Sequence, residues 1–157
     1  MCGNRVQGLH IRGFKPLDIQ VLYQMDSVCF PADIAYSRAE LQFYISHKDS
    51  ITRVAELKDV VVGFAVGRVR DRSTAHVMTL DVIQSARRSR VGTALIDSLH
   101  HEFRSKGARL SFLEVDVENV AARRFYEAHK YRYVEVLPGY YNGRSDALRM
   151  VRNLALD

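Results

Sequence analysis

One stretch, residues 79–95, most constrains how this chain can fold, and it reads T-L-D-V-I-Q-S-A-R-R-S-R-V-G-T-A-L. It begins as a half-buried strand, in which Leu80 and Val82 are apolar, and continues through a short cationic turn. From Val91 onward, apolar residues recur at three- and four-residue spacings, which predicts a helix. Such a turn can bind an anionic phosphate group, because the first N–H groups of a helix lack partners. A plain strand-to-helix connection with a solvated arginine run fits the spacing equally well.

The rest of the chain alternates between strand and helix patterns. Strands are predicted over residues 5–13, 51–57, 60–70, 75–83, 111–117, 131–137 and 147–154. Helices are predicted over residues 17–30, from residue 37, over 91–106 and over 119–129, with a loop at 138–145. Short turns imply antiparallel pairing, whereas the strand–helix–strand run over residues 75–117 requires a parallel pair. We therefore predict an α/β fold with a mixed, mostly antiparallel sheet flanked by four helices.

Two glycines interrupt the predicted strand over residues 60–70. Gly63 and Gly67 indicate a bulge or a close approach of another element to the backbone.

Composition excludes several classes of protein. The 157 residues suit one domain over residues 1–157, and no apolar run approaches the length of a membrane span. The N-terminus lacks the apolar core of a signal peptide, and Cys2 and Cys29 form no C-x-x-C pair, so we expect a cytoplasmic protein. No histidine spacing is typical of a metal site, so we expect no metal. The net charge of +5 suits an anionic partner without identifying it.

Two segments carry a family resemblance. Leu80-Asp81-Val82 and the turn Arg87-Arg88-Ser89-Arg90-Val91-Gly92 follow the pattern L-x-V, then Arg/Gln-x-x-Gly-x-Gly/Ala, with Arg90 at the first glycine. Downstream, L-E-V, N-x-x-A and F-Y-E occur within residues 113–127, and Lys130 stands where a further glycine is usual. These patterns resemble the GCN5-related N-acetyltransferase (GNAT) superfamily.

Further elements resemble the RimI-type N-terminal acetyltransferases of that superfamily. They are C-F-P at 29–31, Y-S at 36–37, Y-Y at 140–141 and S-D-A-L-R-M at 145–150. The resemblance implies a monomeric or homodimeric enzyme that transfers acetyl from acetyl-CoA to the α-amine of a protein or peptide N-terminus. Ribosomal proteins are among the acceptors it suggests. Acetylation of a small amine and a non-catalytic acyl-CoA-binding module are the alternatives. Nucleic-acid binding is disfavoured, because the basic residues lack an interleaved aromatic platform.

The resemblance also implies a cofactor site. Backbone groups of Leu80, Asp81 and Val82 would hold the pantetheine arm, with the Val82 N–H facing the thioester oxygen. The pyrophosphate would contact the turn and helix start at Arg87, Arg88, Ser89, Arg90, Val91, Gly92 and Thr93. Gly92 would let the backbone approach the ligand closely, and we expect a negative φ at Arg90. Asn119 would either contact the cofactor or only cap its helix.

The resemblance assigns the catalytic roles to Tyr126 and Glu114. Tyr126 would protonate the CoA sulfur, and the alternative is a core aromatic beside Phe125. Glu114 would accept the amine proton, and because its strand neighbours are apolar we expect its pKa to be raised. The alternative is a surface glutamate at a strand end.

The acceptor is expected to lie between two loops rich in aromatic residues. Phe30 and Tyr36 lie on the first loop, and Tyr140 and Tyr141 lie on the second. Tyrosine supplies both a wall and a hydroxyl group for an extended peptide, although these side chains could also serve only to pack the loops.

Overall fold

A computed structural model describes residues 6–156 of the chain, so Cys2 lies outside it. In that range seven strands form one sheet in the order β1-β2-β3-β4-β5-β7-β6. They are Leu9–Gly13 (β1), Ser50–Leu57 (β2), Val60–Val69 (β3), Thr74–Val82 (β4), Leu110–Asp116 (β5), Arg132–Tyr141 (β6) and Ser145–Asn153 (β7). The four α-helices described are Ile19–Cys29 (α1), Arg38–Ser46 (α2), Val91–Ser105 (α3) and Val120–Ala128 (α4). Strands β4 and β5 are parallel and the other pairs are antiparallel, which confirms the predicted fold class.

Two apolar clusters cover the opposite faces of the sheet. Neighbouring residues of a strand point to opposite faces, so Ala65 of β3 joins the cluster under α3, and Phe64 joins the cluster under α1 and α2. The α3 cluster is the larger of the two. Within residues 6–156, no helix has the length and apolar character that a membrane crossing requires.

The glycines of β3 let α3 pack closely against the sheet. A Cβ at Gly67 would lie 2.3 Å from the Phe103 ring, and one at Gly63 would lie 3.1 Å from the Leu95 side chain, both of α3. The pairing of β3 with β4 also shifts register between Val66 and Gly67. Both the expected bulge and the expected close approach are confirmed.

The first predicted helix begins later than its apolar spacing suggested. Pro16–Asp18 forms a 3₁₀ turn, in which Leu17 is 94% exposed, and α1 starts at Ile19. The Asp18 carboxylate accepts a hydrogen bond from the Lys15 N–H at 2.7 Å and pairs with Arg12. These polar contacts hold the turn, so Leu17 stays outside the core. The first strand, predicted from residue 5, begins at Leu9 in the described part of the chain.

The predicted loop at residues 138–145 is mostly a β-hairpin. Strand β6 continues to Tyr141, and β7 begins at Ser145. Pro138 and Gly139 lie in an irregular stretch of this edge strand, where the pairing shifts between Leu137 and Tyr141. The loop prediction was wrong because an edge strand tolerates proline and glycine at a bulge.

Two helix boundaries have left-handed backbone without a glycine. Arg90, the N-cap of α3, has φ 65°, and Lys130, which follows α4, has φ 66°. Both positions are glycine in the pattern that the chain resembles, and the expectation of a negative φ at Arg90 was wrong. A side chain in this region costs about 1–2 kcal/mol per residue.

Replacing either residue by glycine should therefore stabilise the fold. Arg90→Gly and Lys130→Gly should each raise the free energy of unfolding by about 0.5–1 kcal/mol, after the entropic cost of glycine in the unfolded chain. For a chain of this size that is a rise in Tm of roughly 1–4 °C, measurable by calorimetry. Arg90→Ala is the matched control, because it removes the guanidinium but keeps the Cβ. An equal gain from Arg90→Ala would contradict the role of the backbone.

Candidate active site

The parallel strands β4 and β5 pair over only three residues each and then separate. Thr74, Ala75 and His76 pair with Leu110, Ser111 and Phe112. Beyond these pairs β4 continues beside β3 to Val82, while β5 continues beside β7 to Asp116. The divergence opens a wedge in the sheet, which we call the β4–β5 wedge.

Backbone groups of β4 point into this wedge. In an antiparallel ladder, hydrogen-bonded and non-hydrogen-bonded pairs alternate along the strand. The Ile83 N–H donates to the Val62 carbonyl of β3 at 2.9 Å, so Asp81 also faces β3, and Leu80 and Val82 face the other way. Of the three residues predicted to hold the pantetheine arm, Leu80 and Val82 therefore direct their backbone N–H and C=O groups into the wedge, and Asp81 does not.

The turn after β4 is cationic and closely tied to the strand. Arg87, Arg88 and Arg90 are exposed. Arg87 Nε donates to the Val82 carbonyl oxygen at 3.0 Å, and the Ser89 hydroxyl donates to the Ala86 carbonyl. The turn therefore presents guanidinium charge close to the end of β4.

The first turn of α3 follows directly, with its N–H groups at Val91, Gly92 and Thr93. Gly92 has a packing role within the fold, and its role in the close approach of a ligand stays a prediction. A Cβ at Gly92 would lie 3.1 Å from the Phe125 ring of α4. The glycine therefore allows the start of α3 to pack closely against α4.

Asn119 caps α4, as one of its two predicted roles requires. Its Oδ1 accepts a hydrogen bond from the Ala122 N–H at 3.1 Å, which satisfies one of the unpaired donors of the helix.

Tyr126 of α4 packs edge-on against two rings. Its centroid lies 5.2 Å from that of Phe125 and 5.7 Å from that of Tyr131. Among residues 6–156 its hydroxyl has no hydrogen-bond partner. Burial, with a smaller contribution from Tyr131, raises the pKa of Tyr126, so the phenol is protonated at neutral pH and can donate.

Glu114 of β5 is held by two basic side chains. Its Oε2 lies 2.6 Å from His76 Nε2, and its Oε1 accepts from Arg149 Nη2 at 3.1 Å. Burial alone would raise the pKa of Glu114, but the hydrogen bond and charge of His76, and then of Arg149, lower it below its ordinary value. The expected raised pKa was wrong, because the sequence did not show which cations the sheet brings to this strand.

His76 is the site residue that sequence reasoning missed. It lies at the last paired position of β4, and its ring stacks on Phe112 with centroids 4.4 Å apart. With Nε2 on Glu114, its Nδ1 is buried and has no partner among the described residues. The sequence signal was a histidine between the apolar residues Ala75 and Val77 of a predicted strand, and its pairing with β5 depends on the tertiary fold.

Tyrosines line the side of the sheet where Glu114 lies. The Tyr36 hydroxyl donates to the Met78 carbonyl of β4 at 3.4 Å, and its ring packs against Tyr44 at 5.1 Å. Tyr140 and Tyr141 are stacked edge to face at 5.0 Å. Burial and then the charge of Glu114 raise the pKa of Tyr140.

The two predicted acceptor loops touch each other. Asn142 Nδ2, in the β6–β7 turn, donates to the Asp33 carbonyl at 2.8 Å, and Arg144 pairs with the Asp33 carboxylate at 3.8 Å. Phe30, at the start of the α1–α2 loop, is extended because it precedes Pro31. The structure therefore brings into contact the two loops that carry the four predicted acceptor residues.

Comparison with known proteins identifies the family. The model of the acetyltransferase (GNAT) family matches residues 19–131. An uncharacterised N-acetyltransferase of Methanocaldococcus jannaschii is 32% identical over 143 residues, which cover 90% of each chain. The chain belongs to the GNAT family. Similar proteins also include the N-alpha-acetyltransferase of Sulfurisphaera tokodaii, 26% identical over 92% of each chain. The crystal structure of Ard1 from Thermoplasma volcanium is 29% identical, with a TM-score of 0.86, covering 93% of this chain and 97% of that one.

Membership of the GNAT family makes the protein an acetyl-CoA-dependent N-acetyltransferase. The predicted enzyme class and cosubstrate are thereby confirmed, whereas the roles of individual residues remain predictions. In the part of the chain that the structure describes, no group of three or more potential metal-ligating side chains comes together.

The paired state of Glu114 predicts a pH-dependent contribution to stability in this GNAT enzyme. Because the pKa of Glu114 is lowered on folding, its contribution is present above the unfolded pKa of about 4.3 and is lost as pH falls through the folded pKa. Glu114→Gln should lower the free energy of unfolding by about 1–3 kcal/mol at pH 7, and the difference should shrink below about pH 4.3. Urea denaturation between pH 3 and 7 measures this.

Glu135→Gln is the matched control. Glu135 accepts from the same Arg149 at 2.7 Å but is exposed, and exposed ion pairs contribute little. Its effect should stay within about 0.5 kcal/mol. A Glu114→Gln difference that does not change with pH would contradict the assigned pKa direction.

Proposed function

We propose that this GNAT acetyltransferase transfers the acetyl group of acetyl-CoA directly to the α-amine of a protein or peptide N-terminus. The observation that carries the proposal is that the acids around the acceptor loops are already paired within the chain. Glu114 accepts from Arg149, Asp33 pairs with Arg144, and Asp146 accepts from the Gly139 N–H at 2.8 Å. A polyamine needs free carboxylates, and these three are engaged. The phenols of the same region suit an extended peptide instead.

Asp116, at the end of β5, is also an acid already engaged in hydrogen bonds within the chain. Its Oδ1 accepts from the Glu118 N–H at 2.9 Å, and its Oδ2 accepts from the Ser145 hydroxyl at 3.3 Å. The relative from Sulfurisphaera tokodaii is named for α-amine acetylation, which supports the same acceptor class for this chain. A small monoamine acceptor remains the alternative that the experiment below tests.

The β4–β5 wedge is the proposed position of the acyl-CoA arm. Leu80 and Val82 would hydrogen-bond an extended pantetheine as a partner strand would, and the Val82 N–H would stabilise the oxyanion that forms from the thioester carbonyl. The N–H groups of Val91, Gly92 and Thr93 would bind the pyrophosphate at the start of α3. Arg88, Ser89 and Arg90 are proposed to add contacts to the pyrophosphate from the turn. Arg87 is proposed to contribute its positive charge while its Nε stays hydrogen-bonded to the Val82 carbonyl.

Glu114 is proposed to receive the amine proton through a water molecule, and His76 is proposed to position the carboxylate. The pKa of Glu114 is lowered, so the carboxylate is ionised at neutral pH and can accept the proton, while His76 Nε2 holds Oε2 in place. An α-amine with a pKa near 8 is about one-tenth neutral at pH 7, so the base has modest work to do.

Tyr126 is proposed to complete the transfer. The amine nitrogen bonds to the carbonyl carbon, the carbon–sulfur bond breaks, and the Tyr126 hydroxyl donates its proton to the departing thiolate. Because the pKa of Tyr126 is raised, the phenol is still protonated at neutral pH when the thiolate forms.

Removing the Tyr126 hydroxyl tests the acid directly. Tyr126→Phe keeps both ring contacts, so kcat should fall by about 100- to 10,000-fold while Tm stays near the wild-type value. Tyr133→Phe is the control, because it removes the hydroxyl of an exposed tyrosine of β6. Unchanged turnover in Tyr126→Phe, measured by CoA release, would show that another group protonates the thiolate.

A competition panel tests the acceptor. Peptides with a small first residue should be acetylated on the α-amine, and the same peptides with a blocked N-terminus and an internal lysine should not react. Tyr140→Phe and Tyr141→Phe should raise the KM for peptide more than the KM for acetyl-CoA, because each removes a hydroxyl from the acceptor side. If spermidine or free amino acids exceed every peptide in kcat/KM, the small-amine alternative is correct.

A further inference from the structure

Two acidic side chains that the proposed reaction does not use are buried between α1 and β4. Asp26 of α1 is 0% exposed, and Asp81 of β4 is 1% exposed. An ionised carboxylate is strongly disfavoured away from water unless a cation pairs with it. Within the described residues neither Asp26 nor Asp81 forms a salt bridge. Some other arrangement must therefore satisfy this pair of acids.

One oxygen of each acid has a donor and the other has none. Asp26 Oδ2 accepts from the Tyr36 N–H at 2.7 Å, and Asp81 Oδ1 accepts from the Thr79 hydroxyl at 2.8 Å. Asp26 Oδ1 and Asp81 Oδ2 are buried without a partner among residues 6–156. The two carboxyl groups face each other where α1 packs against β4, beside the hydrogen bond from the Cys29 thiol to the Val82 carbonyl at 3.6 Å. Because a carboxylate only accepts, the two acids can hydrogen-bond to each other only when one of them carries a proton.

The groups that face the pair do not neutralise it. Arg87 attracts Asp81 through space, but its Nε donates to the Val82 carbonyl. Cys29 of α1, Tyr36 of the α1–α2 loop and Tyr126 of α4 also face the two acids. A thiol and two phenols carry no charge at neutral pH. Two facing carboxylates cannot then both ionise at low cost, and burial raises the pKa of both acids.

We propose that Asp26 and Asp81 share one proton in the folded protein and, in that state, position the α1–α2 loop against β4. Asp26 holds the Tyr36 N–H, while the Tyr36 hydroxyl reaches the Met78 carbonyl of the same strand that carries Asp81. The proton shared by Asp26 and Asp81 therefore links the α1–α2 loop, on the acceptor side, to β4, which borders the β4–β5 wedge. The protonation of the pair is independent of the acceptor, whereas its effect on acceptor binding rests on the proposed function.

The stability of the protein as a function of pH tests the shared proton. The folded pair holds a proton that the unfolded chain releases above about pH 4, so stability should fall as pH rises from there to the raised pKa of the pair. The loss is at most about tenfold in the folding equilibrium constant per pH unit. In Asp26→Asn the amide can accept from the Tyr36 N–H and donate to Asp81, so this loss should be absent. Denaturant titrations of both proteins from pH 4 to 9 measure the difference.

Two further variants make the result decisive. Asp81→Asn supplies the same donor from the other side and should also abolish the loss. Asp97→Asn makes the same change at an exposed acid of α3, and its profile should run parallel to that of the wild type. Parallel profiles for wild type, Asp26→Asn and Asp81→Asn would overturn the shared proton.

Steady-state kinetics tests the positioning role. As pH rises and the pair loses its proton, repulsion should displace the loop, so the peptide KM of the wild type should rise about fivefold or more relative to Asp26→Asn, with little change in kcat. Because the ionisation of the peptide amine affects both KM values equally, it does not change their ratio. A stability difference with a constant KM ratio would overturn the positioning role and leave only a structural pair. If no peptide is acetylated, the proposed function fails, while the stability profiles still decide whether the proton is shared.

Discussion

The short parallel pairing of β4 and β5 is the constraint on which the rest of the site depends. A parallel pair requires a crossover, here α3, and the crossover places a helix N-terminus at the end of β4. Because β5 leaves β4 after three pairs, Leu80 and Val82 retain backbone groups that no strand uses. The separation of β5 from β4 thus creates both an extended hydrogen-bonding edge and an anion-binding helix end. The two features lie beside each other without any special side chain.

Polar side chains cross the same region in two places. His76, Glu114 and Arg149 connect β4, β5 and β7 where the wedge opens. Asp26 and Asp81 connect α1 to β4 further along the strand. Both sets are largely buried, so their hydrogen bonds act in a low dielectric and are costly to leave incomplete. The apolar α3 cluster supplies the frame, and these polar contacts hold the site to it.

Glycine can be favoured at a position for two different reasons, the space around its Cα or its backbone angle, and both occur in this fold. Gly63, Gly67 and Gly92 have no Cβ where a helix or ring approaches the backbone. Arg90 and Lys130 keep a Cβ at positive φ, where glycine would be easier. Sequence patterns show that a position tolerates glycine, but only the fold shows whether space or backbone angle is the reason. Left-handed backbone at Arg90 and Lys130 is stabilised by its surroundings rather than by residue type.

The sequence by itself determined the order of the elements, the fold class and the family. Apolar periodicity and turn chemistry are local, so they predicted the Ser37 and Asn119 caps and most strand bounds correctly. Tertiary structure alone decided the environment of each polar group. Glu114 has a lowered pKa because β4 and β7 bring His76 and Arg149 to it, and the distance along the chain is 38 and 35 residues. Charges act through space rather than along the chain, so the pairing of β4, β5 and β7 determined these contacts.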